Sequence, residues 1–316
     1  MRVIRSYVLP LLAAGLLQAV PAGGAAAQSR RTSRDARLAA RIDTTFAFDK
    51  TGSITINGAS GDVVVTGWSR DQVHVRAVSD NDNVRFTGSS NRVMLEVGSS
   101  NRGSDTRFEV SVPYGVRVLA TTWSGDVSVR GTRGQVEIHS QNGDIDVDDV
   151  SARLDVNTLS GDLRATNISG DAEVESVSGD VKLTDLRGNI DVSTVSGDIE
   201  LHGMTTKLAR GKTTSGDVTY DGLIDPAGRY EFSTHSGDIR LHIPREASAQ
   251  LDVSTWNGAI DSDFPITLKP GEHGIGRTNS KAFTFEIGSG AARISAETFS
   301  GDITISSNGR GASDRR

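Results

Sequence analysis

Aspartates that could bind a cation recur at a regular interval along this chain. They follow a glycine at the positions Asp126, Asp144, Asp162, Asp180, Asp198, Asp217 and Asp238. If the turns that hold them stack, neighbouring carboxylates lie about 4.8 Å apart and repel one another. Such a column could bind calcium, or it could form turns in which backbone N–H groups neutralise the carboxylates. Calcium-binding nonapeptide rolls have several glycines per unit and this chain has one, so the pattern favours turn aspartates over a calcium ladder.

Catalytic constellations are scarce in the sequence. The histidines at 74, 139, 202, 235, 242 and 273 show no metal-ligand spacing. His235 precedes one of the Ser-Gly-Asp turns and is expected in an inward-facing column, so it does not indicate a catalytic triad. No nucleophile elbow or zinc-protease helix motif is present. We therefore predict no catalytic residues and no cofactor beyond the calcium alternative.

An outward column of acidic residues is the other feature that could do chemistry. It consists of Glu137, Asp155, Glu173 and Asp191, and the corresponding column of the opposite sheet mixes both charges. A solvated surface accounts for it, and a cationic polymer or peptide is the alternative ligand. Polysaccharide-cleaving β-helices also need only a few carboxylates on one face. Those enzymes have larger coils and long loops, whereas the coil here has 18 residues and minimal loops.

The elements that position these side chains are short strands repeated every nine residues. From Gly125 to Thr205 each unit reads Gly-Asp-Φ-x-Φ-x-x-Φ-Ser, where Φ is apolar, and the alternation is that of a strand with one buried face. Two units make one coil of 18 residues. The pattern predicts an all-β, two-sided, right-handed parallel β-solenoid whose strands pair between successive coils. Irregular strands are expected near the N-terminal end.

A third apolar column is expected to point inward from both sheets. Its members are Val150, Leu159, Ile168, Val177, Leu186, Val195 and Met204. Trp68, Trp123, Trp256 and Phe299 fall in the same position of their units. We therefore predict that these aromatic residues fill the core towards the ends of the array and form no binding platform.

Composition and charge limit the classes of function. The 316 residues include no cysteine, so neither a disulfide framework nor a thiol for lipid attachment is available. Residues 1–27 have the basic start, apolar run and small-residue end of a signal peptide. Removal of Arg2 and Arg5 with that peptide changes the formal charge from −6 to −8, which disfavours binding to nucleic acid. No second apolar segment is long enough to span a bilayer.

The remaining chain is predicted to form one domain. Residues 28–41 are interpreted as a basic linker, 42–306 as a single β-solenoid domain, and 307–316 as a disordered tail. The repeat is lost over about 78–114, where strand-like runs alternate with Ser/Asn/Gly clusters, and again over about 264–280.

The Ser-Gly-Asp turns, the early segment Gly61–Trp68 and the late segment Gly288–Ile303 resemble the bacterial putative adhesin family of β-strand-repeat domains of unknown function. The likeness covers about residues 42–306. It implies an exported or cell-envelope β-solenoid, and it supplies no catalytic or binding residues.

We therefore predict an exported, non-enzymatic β-solenoid, periplasmic or at the cell surface, that acts as a cell-envelope binding or adhesin-like scaffold. Its partner is expected to be an envelope protein or polysaccharide, and open coil ends would allow self-association. The alternatives are a polysaccharide-active β-helix enzyme and a calcium-stabilised structural roll.

Overall fold

The computed structural model describes residues 40–58, 60–79, 84–97, 106–265 and 281–308, all within one compact unit of residues 37–316. The predicted signal peptide, nearly all of the predicted linker, residues 266–280 and residues 309–316 lie outside the described residues. Within the described residues every regular element is a β-strand. In this part of the chain no helix is long and apolar enough to cross a membrane.

Twenty-four strands are described, numbered in chain order. The first eight are β1 (Ala40–Ala47), β2 (Ser53–Gly58), β3 (Val63–Trp68), β4 (Gln72–Ser79), β5 (Val84–Gly88), β6 (Arg92–Val97), β7 (Thr106–Pro113) and β8 (Arg117–Thr122). The next eight are β9 (Val127–Thr132), β10 (Val136–Asn142), β11 (Ile145–Val150), β12 (Leu154–Ser160), β13 (Leu163–Ile168), β14 (Ala172–Ser178), β15 (Val181–Leu186) and β16 (Ile190–Ser196). The last eight are β17 (Ile199–Lys212), β18 (Val218–Ser236), β19 (Ile239–Pro244), β20 (Ala249–Asn257), β21 (Ile260–Ser262), β22 (Lys281–Ile287), β23 (Ala292–Ser300) and β24 (Ile303–Asn308).

These strands form two sheets of mostly parallel neighbours. In the first sheet the order is β5, β6, β2, β8, β10, β12, β14, β16, the second halves of β17 and β18, β23, β20 and β22. In the second sheet it is β1, β4, β7, β3, β9, β11, β13, β15, the first halves of β17 and β18, β19, β24 and β21. The predicted β-solenoid is confirmed.

The coil of 18 residues is visible in the strand register. Leu154 pairs with Ala172, which pairs with Ile190, so each residue of the regular region lies beside the one 18 positions later. Val, Ile and Leu at alternate positions point inward, because successive side chains of a strand face opposite sides. The inward side chains of both sheets form one continuous core.

Two coils depart from the sequential order. The coil β2–β3 lies between β6–β7 and β8–β9, and the coil β23–β24 lies between β18–β19 and β20–β21. Antiparallel strands stand at the ends of the sheets: β5 against β6, β1 against β4, and β22 against β20. These strands replace the parallel order of the coils at three of the four sheet ends, and β21, at the fourth, pairs in parallel with β24.

The turn glycines allow the coils to approach closely. Gly161 has φ +118°, and a Cβ atom there would lie 2.1 Å from the carbonyl oxygen of Gly143 in the preceding coil. No side chain fits in that space, and the backbone conformation is one that only glycine adopts readily. Glycine is thus required where the aspartates stack.

The predicted third inward column is correct in the second sheet and wrong in the first. Val150, Ile168, Leu186 and Met204 are fully buried, whereas Leu159, Val177 and Val195 are exposed. In the second sheet one residue before each apolar side chain adopts a left-handed conformation: Gly131, Asp149, Asn167, Asp185 and Gly203 have φ between 54° and 70°. This residue reverses the alternation and turns the following side chain inward.

The regular coils of the first sheet have no left-handed residue at this position. The alternation of inward and outward side chains therefore continues, and a serine or threonine hydroxyl points inward. The inward positions are occupied by Thr122, Ser140, Thr158, Ser176, Thr194, Thr213, Thr234, Thr298 and Thr255. Thr234 donates to the carbonyl oxygen of Gly216 at 3.0 Å, and Thr298 donates to that of Gly237 at 3.0 Å. The residue that follows each hydroxyl is therefore turned to the surface, and in six of the nine positions it is a large apolar residue.

Candidate binding surface

An exposed column of mostly apolar side chains, interrupted by Gln141, Thr214 and His235, runs along the first sheet beside the Ser-Gly-Asp turns. We call it the exposed stripe, and in spatial order its members are Trp123, Gln141, Leu159, Val177, Val195, Thr214, His235, Phe299 and Trp256. Within the described residues, six of the nine exposed large hydrophobic side chains belong to it. Large contiguous apolar surfaces are uncommon on monomers and indicate an interaction site.

The prediction that the large aromatic residues fill the core is wrong for three of them. Trp123 is 61% exposed, Phe299 47% and Trp256 41%, and His235, also predicted to face inward, is exposed. Inward and outward side chains alternate without interruption in the first sheet. The threonine immediately before each of these residues therefore points inward, and the residue itself points outward. Trp68 is half-buried, and its indole N–H donates to the backbone oxygen of Gln72 at 2.7 Å.

Three rings at one end of the stripe are stacked on one another. The centroids of His235 and Phe299 are 4.8 Å apart with an interplanar angle of 11°. Those of Phe299 and Trp256 are 5.8 Å apart at 9°. Both faces of Phe299 are thus covered by neighbouring rings.

One flank of the stripe is the aspartate ladder, three residues further along each coil. We define the ladder as Asp62, Asp126, Asp144, Asp162, Asp180, Asp198, Asp217, Asp238 and Asp302. In each step an aspartate Oδ1 accepts a hydrogen bond from the backbone N–H of the aspartate in the next coil, at 2.8–3.3 Å. Each bond stabilises the ionised carboxylate that accepts it, but the carboxylate keeps its negative charge.

Basic side chains compensate only part of the ladder. Arg164 contacts Asp162 at 3.3 Å, and Arg240 contacts Asp217 at 2.6 Å and Asp238 at 2.8 Å. Burial raises the pKa of the Asp217 carboxyl, but the backbone N–H of Asp238 and the guanidinium of Arg240 lower it by more, so the pKa of Asp217 lies below its ordinary value. Asp217 is thus held as a carboxylate.

The predicted calcium ladder is placed along this flank, but its residues are not arranged as a cation cage. Within the described residues no group of three or more His, Cys, Asp or Glu side chains is placed to hold a metal ion. Calcium takes six to eight oxygen ligands, whereas one oxygen of each ladder carboxylate accepts a backbone N–H. The calcium-stabilised roll stays a prediction.

The acidic column of the first sheet is largely neutralised. Arg153 contacts both Asp155 and Glu173, and Arg210 contacts Asp191 at 2.9 Å. The other flank of the stripe is a column of mostly polar side chains: Thr121, His139, Asn157, Glu175, Ser193, Lys212, Ser233, Glu297 and Ser254. The acidic column that stands out in the sequence is therefore the one whose charge arginines largely neutralise.

A shallow groove lies where the stripe meets this polar column. Its volume is about 450 Å³, and its walls include Leu159, Val177, Asn157 and Glu175. A second concavity of about 410 Å³ at the opposite corner includes Asp171 and Asp225. Asp171 accepts the backbone N–H of Asn189 and Asp225 accepts that of Ala227, so both carboxylates have structural partners.

The stripe could have been found from the sequence. A serine or threonine precedes each of its positions, and these hydroxyl residues recur at 122, 140, 158, 176 and 194, at the coil spacing. Gly131, Asp149, Asn167, Asp185 and Gly203 recur at the same spacing in the other half-coil, and glycine, asparagine and aspartate are the residues that adopt left-handed backbone readily. Together these two columns distinguish the sheet whose third apolar residue faces outward.

Comparison with known proteins identifies a family. The profile of the Toastrack DUF4097 family matches residues 46–306 of the chain. No curated protein sequence matches it.

Solved structures with a similar arrangement include a putative adhesin from Parabacteroides distasonis ATCC 8503, at 13% identity and a TM-score of 0.44, covering 86% of this chain and 98% of that one. A putative adhesin from Bacteroides fragilis NCTC 9343 has 12% identity and a TM-score of 0.37 over 84% of this chain and 97% of its own. A putative lipid binding protein from Parabacteroides distasonis ATCC 8503 has 10% identity and a TM-score of 0.34 over 85% and 96%.

Proposed function

Because the chain belongs to the Toastrack DUF4097 family, we propose that it is an exported, non-enzymatic scaffold that binds another component of the cell envelope, in the manner of an adhesin. The word adhesin comes from the names of two of the solved structures. The support for binding comes from the surface of the molecule itself.

The exposed stripe is the observation on which the proposal depends. Trp123, Leu159 and Val195 are about half exposed or more, although inward positions for apolar residues exist throughout the same strands. Burial of apolar surface contributes about 25 cal/mol per Å². Burial of the stripe under a partner would therefore favour binding. A flat, elongated stripe suits a long ligand and offers no enclosed cleft for catalysis.

Export is supported by the predicted signal peptide of residues 1–27. The N-terminal residue of the chain recovered from the cell envelope is expected at or near Gln28. Mass spectrometry of that material checks it, and a chain that keeps Met1 and stays in the cytoplasm would contradict export.

Binding to envelope material tests the proposed function. Isolated envelope fractions are incubated with the purified chain and with the triple variant Leu159→Ser, Val177→Ser, Val195→Ser, and the bound fraction is measured. We expect the triple variant to bind about tenfold more weakly, because three apolar contacts at the centre of the stripe are lost.

The matched control replaces three exposed apolar residues outside the stripe, Leu208→Ser, Leu223→Ser and Phe283→Ser. This control should bind like the natural chain. Equal binding by both triple variants would show that the stripe is not the contact surface. Turnover of an envelope polysaccharide by the purified chain would instead support the enzyme alternative.

A further inference from the structure

We propose that the occupant of the exposed stripe is a cationic amphipathic helix of another polypeptide, with its apolar side chains on the stripe and its basic side chains beside the aspartate ladder. This inference rests on the proposed function and names the chemistry of the partner. It depends on the charges that flank the stripe, on the spacing of the stripe and on the orientation of its rings.

The flanking charge is acidic and incompletely compensated. Asp126, Asp144 and Asp180 are exposed, and none of them forms an ion pair with a basic side chain of the described residues. They lie three residues beyond Trp123, Gln141 and Val177, respectively, in the coils that form the stripe. Stacked carboxylates at this spacing repel one another, so a basic partner gains attraction along the same line on which it gains apolar contact.

The polar column on the other flank of the stripe does not form a line of positive charge. Its titratable members are Glu175 and Glu297 together with Lys212 and His139, separated by Asn157 and uncharged serines and threonines. His139 lies 2.9 Å from Glu137, which limits its attraction for an anion. Of the two flanks of the stripe, the ladder therefore carries more negative charge.

The spacing of the stripe fits a helix better than an extended chain. Successive positions are separated by one coil, about 4.8 Å. An amphipathic helix presents an apolar residue about every 3.5 residues, or about every 5.3 Å along its axis. An extended strand presents one side chain to the same face about every 6.8 Å. Over four positions, from Leu159 to Thr214, a helix thus stays nearly in register, whereas a strand does not.

The other occupants fit less well. A sugar stacks on the face of an aromatic ring, but the central positions of the stripe, from Leu159 to Thr214, carry no aromatic ring. The faces of Phe299 are covered by His235 and Trp256.

A second copy of the chain placed stripe to stripe would bring one aspartate ladder against another if the two stripes ran antiparallel. If they ran parallel, each ladder would meet the polar column, which contains Glu175 and Glu297 but only one lysine. An anionic lipid surface would meet the same like charge. A cationic amphipathic helix satisfies both the apolar stripe and its acidic flank.

A peptide probe tests the inference. The probe is a fluorescently labelled 18-residue peptide of leucine and lysine in an amphipathic helical pattern, and its Kd is measured by anisotropy with the full chain. We expect binding that weakens as salt is raised, because exposed charges are screened. The same peptide with glutamate in place of lysine should not bind.

Two triple variants distinguish binding that depends on the ladder from binding that depends on the negative charge of the whole chain. Asp126→Asn, Asp144→Asn, Asp180→Asn removes three charges and keeps the carbonyl oxygen that accepts the backbone N–H of the next coil. Its Kd should rise about tenfold, the sum expected for three exposed ion pairs. The control Asp146→Asn, Asp148→Asn, Asp261→Asn removes three exposed charges from the second sheet, and its Kd should stay within about twofold of the natural value.

The outcomes distinguish this inference from the proposed function. If both aspartate variants bind the peptide equally, the ladder is not the determinant and the inference is overturned. It is likewise overturned if the chain binds envelope fractions through the stripe but soluble glycans or anionic vesicles compete and the peptide does not, while the proposed function stands. If the stripe variant binds envelope fractions normally, the proposed function fails independently of the peptide.

Discussion

At the residue scale, each turn aspartate connects two coils. Asp162 accepts the backbone N–H of Asp180, and its own N–H donates to Asp144. A carboxylate that accepts a backbone N–H forms a charge-assisted hydrogen bond, which is stronger than a neutral one. The ladder therefore joins neighbouring coils by side-chain bonds in addition to the backbone bonds of the sheets.

The ladder makes the stability of the fold depend on pH through Asp217, whose pKa lies below its ordinary value. Such a group stabilises the folded state above the pKa of the unfolded chain, about 3.9, and the contribution is lost as the pH falls through the lower folded-state pKa. Asp217→Asn should lower the free energy of unfolding at pH 7 by less than about 1 kcal/mol, and the difference from the natural chain should shrink as the pH falls below about 4. Urea unfolding at stepped pH checks it.

The control for this prediction is Asp261→Asn, which removes an exposed aspartate outside the ladder. A difference between the natural chain and Asp217→Asn that stays constant from pH 7 to pH 3 would contradict the assignment. In that case the asparagine acts through its shape and not through its charge.

The residue pattern predicted the aspartate column and backbone N–H donors for it, but not that each donor belongs to the aspartate of the next coil. The column follows from the interval of the turns, whereas the acceptor role of Oδ1 depends on a side-chain rotamer that the interval does not determine. Similarly, Arg153 lies outside the acidic column in the sequence pattern, so its contacts with Asp155 and Glu173 could not be predicted from that column.

At the scale of the strand, one left-handed residue decides which face a side chain takes. Asn167 has φ +57°, and the fully buried Ile168 follows it. In β12 no residue takes this conformation, so Thr158 points inward and Leu159 outward. The strand pattern alone predicted the buried columns shared by both sheets. It could not separate the two sheets at the third position until the recurring Gly, Asp and Asn residues were considered.

Substitution of Asn167 tests the importance of this conformation. Asn167→Val should lower the free energy of unfolding by about 1–3 kcal/mol, because a β-branched residue is strained at this φ. Asn167→Gly is the control and should change stability by much less, since glycine adopts the conformation readily. Denaturant midpoints of the three chains check it. Equal midpoints for valine and glycine would show that the strand can lose its bulge without cost.

At the scale of the whole described unit, the sequence predicted a stack of parallel coils but not their order. The repeat gives every coil the same pattern of apolar residues and turns, so it cannot distinguish a sequential neighbour from a distant one. The pairing of β2 with β8 and of β18 with β23 depends on which apolar surfaces fit together after the irregular strands have formed.

Calcium bound along the aspartate ladder would stabilise the whole stack, because the ladder connects successive coils. Thermal unfolding of residues 28–316 is compared with calcium and with excess chelator. We expect no difference in Tm, since one oxygen of each ladder carboxylate already accepts a backbone N–H. A ligand that binds only the folded chain must raise its stability. A chelator-sensitive Tm that Asp162→Ala and Asp180→Ala abolish would establish the calcium-stabilised roll.

The place of β23–β24 between two earlier coils has a consequence for how the chain folds as it is made. Coils of a simple solenoid can be added in the order of synthesis. Here β20–β21 emerge before the coil that separates them from β18–β19, and they must wait for Ala292 to Asn308 before the stack closes. A chain that stops before Ala292 therefore keeps an unpaired sheet edge, the feature that favours aggregation. The coils β18–β19 and β20–β21 are therefore joined into one stack only after residues 292–308 have been made.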